Sequence, residues 1–175
     1  MINLLVVSDS HGRYEKLEEA LERQLKLPEG FRPTHLLHLG DGVSDVGKCR
    51  GAERMCHCLV RGNCDGFFQN PPVPSERVLE LGGLKILMLH GHTRGVKGGD
   101  FNAVSYAASV GADILLFGHT HTPVSYTLEK GTDLGEELLQ KRLTVFNPGS
   151  LGYDGSFGVV SVDGDNISCS HGNLN

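Results

Sequence analysis

The chain has 175 residues, enough for one domain with a sizeable core, and a single domain over residues 1–175 is the expectation. A formal net charge of −5 argues against a broad nucleic-acid-binding surface or a footprint on anionic membrane, without excluding a local positive site. Apolar runs reach only about six residues, too short to span a bilayer, and the N-terminal residues lack the features of a secretory signal. The expected location is the cytoplasm, and the five cysteines read as free thiols there.

Residues 2–7 form a short, almost wholly apolar run, as expected of a strand covered on both faces. It stops at Ser8-Asp9-Ser10-His11-Gly12. Residues 14–25 place Tyr14, Leu17, Leu21 and Leu25 on one helical stripe, and Pro28 and Gly30 end it. A second apolar run, 34–39, stops at Gly40-Asp41-Gly42, and residues 43–50 suit a short helix. A third run, 55–60, stops at Arg61-Gly62-Asn63-Cys64-Asp65-Gly66. This strand–helix alternation implies a parallel sheet with right-handed crossovers. Each polar cluster falls just past a strand's C-terminal end, where open α/β sheets place their sites.

Residues 67–74 are Pro-rich and read as an irregular loop. Residues 76–81 and 84–89 flank Gly82-Gly83, a hairpin signal, and the second strand ends in His90-Gly91-His92. A helix is expected over 100–110, stopped by Gly111, and then a strand over 113–117. That strand feeds Gly118-His119-Thr120-His121. In an extended chain the two histidines would lie on one side, with Cα atoms roughly 6.6 Å apart, and Gly118 would let the backbone leave the strand at an unusual angle. Residues 123–128 and 142–146 read as strands joined by a polar excursion, and 157–162 with 166–171 as a last hairpin.

The strand-end clusters contribute Asp9, His11, Asp41, Asn63, His90, His119 and His121. Two carboxylates, four imidazoles and one amide oxygen suffice for two metal sites if one carboxylate bridges. Asp41 is the natural bridge, since a carboxylate offers two oxygens and a neutral imidazole one nitrogen. Metals roughly 3.5–4 Å apart can activate a shared water and clamp the oxygens of an in-line displacement at phosphorus. Two divalent ions, two carboxylates and one bridging hydroxide leave a single positive charge, matched to a phosphodiester monoanion. A monoester dianion is attracted as well, so charge alone does not choose.

Asp9-Ser-His11, Gly40-Asp41, Gly62-Asn63, His90-Gly-His92 and Gly118-His119-Thr-His121 together resemble, in order, the motifs of the calcineurin-like metallophosphoesterases. The chain is most similar to the small YfcE-type phosphodiesterase branch, over about residues 4–150. The resemblance implies an α/β fold, a four-layer α-β-β-α sandwich of two mixed sheets flanked by helices. It implies Asp9, His11, Asp41 and His121 at one metal and Asp41, Asn63, His90 and His119 at the other. It further implies hydrolysis of a small phosphodiester by a metal-bridging hydroxide, without a covalent enzyme intermediate. Mn²⁺ is the first expectation for the two divalent ions, with Ni²⁺, Fe and Zn²⁺ as the other candidates, because four histidines disfavour Mg²⁺.

Asp41 and Asn63 are thus also catalytic candidates. Cys64 stands where the protein-phosphatase branch carries a histidine thought to protonate the leaving group, and a thiol does this less well. Diesters with good leaving groups are therefore the expected substrates. His92 reads equally as a catalytic or supporting residue and as one that merely follows the turn. Arg13 and Arg94 lie beside the motifs, within reach of a phosphate or simply on the surface. Cys49, Cys56, Cys58 and Cys64 lack zinc-knuckle spacing and read as buried, inert thiols. The alternatives are a phosphomonoesterase on the same site and a non-catalytic Vps29-like binding scaffold. A homo-oligomer stays open.

Overall fold

In a computed structural model describing residues 1–66, 71–135 and 137–175, the first strand, β1 (Ile2–Val7), is apolar for a geometric reason. Successive side chains alternate between two cores. Leu4 and Val6 enter a central layer, while Leu5 and Val7 face the opposite way toward Leu17, Ala20 and Leu21 of α1 (Tyr14–Leu25). β2 (His35–His38) and β3 (Cys56–Leu59) follow in parallel register, confirming the expected crossover series. β9 (Ser156–Asp163) and β10 (Asn166–Asn173) close this sheet on the other side as an antiparallel hairpin, in the order β10-β9-β1-β2-β3.

The second sheet has β4 (Glu76–Leu81), β5 (Leu84–Leu89), β6 (Ile114–Leu116), β7 (Val124–Leu128) and β8 (Leu143–Asn147) in the order β4-β5-β6-β8-β7. Gly82 and Gly83 both take positive φ, the conformation that the tight β4–β5 hairpin requires. β5, β6 and β8 are parallel, and β4 and β7 run antiparallel at the edges. Ile86, Met88, Ile114 and Leu116 meet the first sheet across the central core. Leu87, Leu89 and Leu115 turn outward to α2 (Phe101–Ser109). The result is the expected four-layer α-β-β-α sandwich of two mixed sheets.

Several local expectations change. Where a helix was expected over 43–50, Val43–Lys48 and Arg50–Arg54 form two 3₁₀ turns. A short α3 (Leu151–Asp154), capped by the Ser150 hydroxyl, follows β8 in a stretch for which the sequence suggested no element. Cys49 is buried, but Cys56 and Cys64 are exposed, because β3 is an edge strand and Cys64 lies in the loop beyond it. All five cysteines are free. The expected loop over 67–74 falls partly outside the described residues.

At the end of β2, His38 is fully buried in a chain of defined polarity. The Gly40 N–H donates to its Nδ1 (3.1 Å), so Nε2 carries the hydrogen toward Ser10 Oγ (3.1 Å). Ser10 Oγ in turn donates to Asp45 Oδ2 (2.7 Å), which also accepts the Gly12 N–H (2.9 Å). Burial lowers the His38 pKa to about 4, outweighing the pull of Asp65, Asp9 and Asp45. In the unfolded chain the imidazole protonates near its ordinary value, so between those two pKa values acid favours unfolding. Metal-free protein should therefore lose up to about 3 kcal/mol of stability on this account from pH 7 to 4. Urea titrations across that range should show a shallower loss for His38→Gln than for the wild type.

Candidate metal centre

The C-terminal ends of β1 and β2 meet those of β5 and β6, and the four loops that follow carry six of the seven expected ligands, Asn63 lying in the loop after β3. The sheets are stitched together here. His90, past β5, contacts the Leu39 carbonyl of the other sheet through Nδ1 (2.8 Å), and the His119 N–H donates to Asp9 Oδ2 (3.1 Å). A carbonyl only accepts, so His90 Nδ1 carries the hydrogen and Nε2 is the atom turned to the site.

Asp9, His11, Asp41, His119 and His121 all have left-handed backbones, with φ from 48° to 67°. They are the only non-glycine residues with positive φ among the described residues. Each is a residue the sequence marks as a ligand. Such backbone is costly for residues with a side chain and persists where surrounding bonds fix it.

This changes the reading of Gly118-His119-Thr120-His121. β6 has already ended, and the histidines are not aligned by a strand pleat. The role of Gly118 is space rather than φ: a Cβ there would run into Ser8 and stand 3.0 Å from Asp9 Oδ2. The two rings diverge. His119 packs edge-on to His90 (4.9 Å between centroids), whereas His121 meets His11 (5.5 Å) and stacks on Tyr153 (5.2 Å).

Three overlapping groups of donor atoms result, and two of them, Asp9–His11–His121 and Asp41–His90–His119, hold only carboxylates and imidazoles. In the first, Asp9 Oδ1 lies 3.1 Å from His121 Nε2 and 3.6 Å from His11 Nε2. In the second, His90 Nε2 is 3.1 Å from His119 Nδ1 and 3.4 Å from Asp41 Oδ2. Donors held by one ion at roughly 2.1 Å and right-angled to tetrahedral geometry stand about 3.0–3.4 Å apart. His11 Nε2 is buried with no hydrogen-bond partner, as a nitrogen kept for a metal should be. The residues present fit divalent ions.

Each aspartate divides its labour between two oxygens. Asp9 Oδ2 accepts from the Ser8 hydroxyl (2.5 Å) and the His119 N–H, leaving Oδ1 facing the imidazoles. Asp41 Oδ1 accepts the Cys64 N–H (2.7 Å), and Oδ2 lies 3.4 Å from His90 and 3.9 Å from His11, between the groups. Burial acts to raise the Asp41 pKa, but the hydrogen bonds from His90 and the Cys64 N–H outweigh it, and the carboxyl sits well below the usual range. Burial likewise disfavours charge on His90, yet Asp41 and Asp9 hold its pKa up. The pocket thus stabilises positive charge at that nitrogen, which a metal would supply in place of a proton. His119 is lowered to about 4 by burial and by the nearby His90 and Lys97, and so stays neutral and ready to ligate.

Six of the seven expected metal ligands therefore converge. Asn63, the seventh, is exposed at the rim, and its amide nitrogen donates to Cys64 Sγ (3.3 Å). Cys64 Sγ groups with His11 and Asp41, and although the residue as a whole is exposed, partial desolvation of the thiol together with Asp41 raises its pKa to about 11, so it stays a protonated thiol. His92 packs against His90 (5.4 Å) and His119 (6.1 Å), with Nδ1 buried and unpartnered. The two arginines are otherwise engaged. Arg13 donates to the Gly152 carbonyl (2.6 Å) and covers Tyr153, while Arg94 pairs with Glu76 and covers Tyr106.

The sequence reading gave no role to the residues that hold these loops. Asp65 is buried and accepts the N–H groups of Asp41, Gly42, Val43 and Gly62 (2.7–3.1 Å), fixing two loops at once. A carboxylate directly after Gly62-Asn63-Cys64 was the available signal. Asn147 donates to the Gly118 carbonyl (3.1 Å) and Thr120 Oγ1 (3.0 Å), and Ser150 to the Asp9 carbonyl (3.1 Å). Asn147-Pro148-Gly149-Ser150 is thus a brace for the ligand loops.

Comparison with known proteins agrees with this geometry. A model of the calcineurin-like phosphoesterase superfamily domain matches residues 2–172. The probable metallophosphoesterase YsnB of Bacillus subtilis is 34% identical over 152 residues, 86% of this chain and 75% of that one. A conserved Streptococcus pneumoniae protein described as a predicted phosphoesterase superposes with a TM-score of 0.72 at 24% identity, over 98% of this chain and 89% of the other. Vps29 of Entamoeba histolytica in complex with Zn²⁺ gives 0.70 at 21% identity, over 99% and 100%. A structure described as a novel archaeal phosphodiesterase gives 0.66 at 19%, over 97% and 99%. The structural likenesses speak for the fold, and the sequence matches for descent. The chain belongs to the calcineurin-like phosphoesterase superfamily.

Proposed function

We propose that this protein is a dinuclear metal-dependent phosphodiesterase. The observation that carries the reading is the pair of donor groups flanking Asp41 Oδ2, each with imidazole nitrogens turned to a common point. Asp9, His11, Asp41 and His121 would hold one divalent ion, and Asp41, Asn63, His90 and His119 the other, with Mn²⁺ first in expectation. Bound ions would supply a hydroxide at neutral pH and neutralise charge on the phosphoryl oxygens.

The chain's own residues do the rest. Asp41 holds its charge at any working pH and ties the two halves together. His90, fixed by the Leu39 carbonyl, cannot swing away from the site. Cys64 and His92 line its two sides, and the Cys64 thiol, protonated at neutral pH, is a weak proton donor that suits good leaving groups. Diester hydrolysis is accordingly favoured over monoester hydrolysis. We read residues 1–175 as one such domain, acting in the cytoplasm on a small substrate. No described helix is long and apolar enough to cross a membrane.

Elemental analysis should find about two divalent ions per chain after Mn²⁺ loading, with Mn²⁺-stimulated turnover of an aryl phosphodiester exceeding that of the aryl monoester. Asp41→Asn should lose more activity than the roughly 10–100-fold that removal of an outer-shell partner costs. Full activity in Asp41→Asn, or in metal-free protein, would overturn the reading. Faster monoester turnover would make it a phosphomonoesterase, and metal binding without activity on either ester would favour the Vps29-like scaffold. Asp65→Asn should stay folded by circular dichroism yet bind Mn²⁺ about 10–100-fold more weakly, since Asp65 positions Asp41 without touching a metal. Unchanged affinity would show that the loop does not need that anchor.

A further inference from the structure

The two carboxylate–imidazole groups are held in place by different means. At the Asp41 group, His90 is wholly buried and its second nitrogen donates to the Leu39 carbonyl (2.8 Å), the usual way a protein fixes the angle of a ligating imidazole. At the Asp9 group the side chains of His11 and His121 are 21% and 35% exposed. Among the described residues no protein group bonds the Nδ1 of either ring. Solvent can satisfy such an N–H but leaves the ring free to turn. Yet both rings keep Nε2 close to Asp9 Oδ1, at 3.6 Å and 3.1 Å.

Tyr153 is what bounds these rings. It lies stacked on His121 (5.2 Å between centroids, 25° between planes) and edge-on to His11 (5.4 Å, 62°). Tyr153 is 56% exposed, and α3 does not need it for packing, since that helix buries Leu151 and Gly152. The backbone beneath the ring is nevertheless tied down. The Tyr153 N–H donates to Ser150 Oγ (3.1 Å), which donates to the Asp9 carbonyl (3.1 Å), and the Gly152 N–H reaches the same carbonyl (3.0 Å). A Cβ on Gly152 would stand 2.5 Å from the Ser10 carbonyl oxygen, so α3 seats directly on the loop that carries Asp9 and His11. From that same loop Arg13 donates to the Gly152 carbonyl (2.6 Å) and sets its guanidinium over the Tyr153 ring (4.7 Å). An exposed aromatic is thus anchored to one ligand loop and laid against the rings of two ligands.

We propose that Tyr153 is the positioning residue of the Asp9–His11–His121 metal site, its ring fixing the two imidazoles by packing as the Leu39 carbonyl fixes His90 by a hydrogen bond. The inference rests on the dinuclear metal reading and needs no particular substrate. Stacked and edge-on contacts use the aromatic ring and not the hydroxyl, so phenylalanine serves equally well. The effect is local to one group, because His90 and His119 pack on each other and on His92. Loss of the ring therefore loosens one ion and spares the other.

Zn²⁺ titration of metal-free protein, followed at the histidine side chains by nuclear magnetic resonance, reads the two groups separately. In the wild type His11, His121, His90 and His119 should all respond. Tyr153→Ala should weaken binding at His11 and His121 roughly tenfold, the lower end of what loss of an outer-shell partner costs. His90 and His119 should titrate as in the wild type, and Tyr153→Phe should match the wild type at all four. If the alanine variant does not fold, Tyr153→Leu supplies the same contrast, keeping apolar bulk without a flat ring. Equal weakening at both groups, no weakening at all, or a phenylalanine variant as impaired as the alanine one would each overturn the role. With an aryl phosphodiester, Tyr153→Ala should need about ten times more Mn²⁺ for half-maximal activity, with kcat and KM unchanged at saturating Mn²⁺. A raised KM at saturating metal would make Tyr153 a substrate contact and overturn the positioning role. Wild-type protein in which no ring responds to Zn²⁺ refutes the dinuclear reading itself, whereas response at all four rings with Tyr153→Ala indistinguishable refutes only the role of Tyr153.

Discussion

The structure turns on a backbone constraint. Asp9, His11, Asp41, His119 and His121 must hold left-handed conformations for their side chains to meet. Each costs about 1 kcal/mol or more, and nothing local repays it. The cost is met by bonds from outside the loops. Asp65 gathers four N–H groups around Asp41, Ser150 and Asp45 hold the Asp9–Gly12 segment, and Asn147 fixes the turn before His119. The anchors come from both sheets, so the site exists only once both sheets have docked. Strain of this kind at binding residues is what a preorganised site requires.

The anchors also explain why the two sheets pack as they do. His90 reaches the Leu39 carbonyl and His119 reaches Asp9, so the strand ends are joined by polar contacts where the central apolar core runs out. Below them, Leu37, Met88, Leu116 and Phe146 fill the interior. Fold and site share one seam.

Much of this was legible in the sequence, for reasons that can be named. Apolar runs broken by clusters of Asp, His and Gly locate strand ends, because a strand buried on both faces can satisfy few such residues before it leaves the core. Hence β1 and the β4–β5 hairpin fall at the anticipated residues, and six of the candidate ligands lie close together. Less was legible where long-range contact decides. The periodicity of residues 43–50 does not distinguish 3₁₀ turns from a helix, and the exposure of Cys56 follows from β3 lying at an edge, which strand order alone determines. Gly118 was assigned a conformational role, but its need is the close approach of Ser8 and Asp9, residues more than a hundred positions away. Asp65 looks like any turn aspartate until its four donors are in place.

The divergence of His119 and His121 carries the central claim, two ions rather than one. Anomalous diffraction from Mn²⁺-soaked crystals tests it most directly. The proposed function predicts two peaks roughly 3.5–4 Å apart, one among Asp9, His11 and His121, the other among Asp41, His90 and His119. A single peak shared by both histidines, or none at either group, would contradict it.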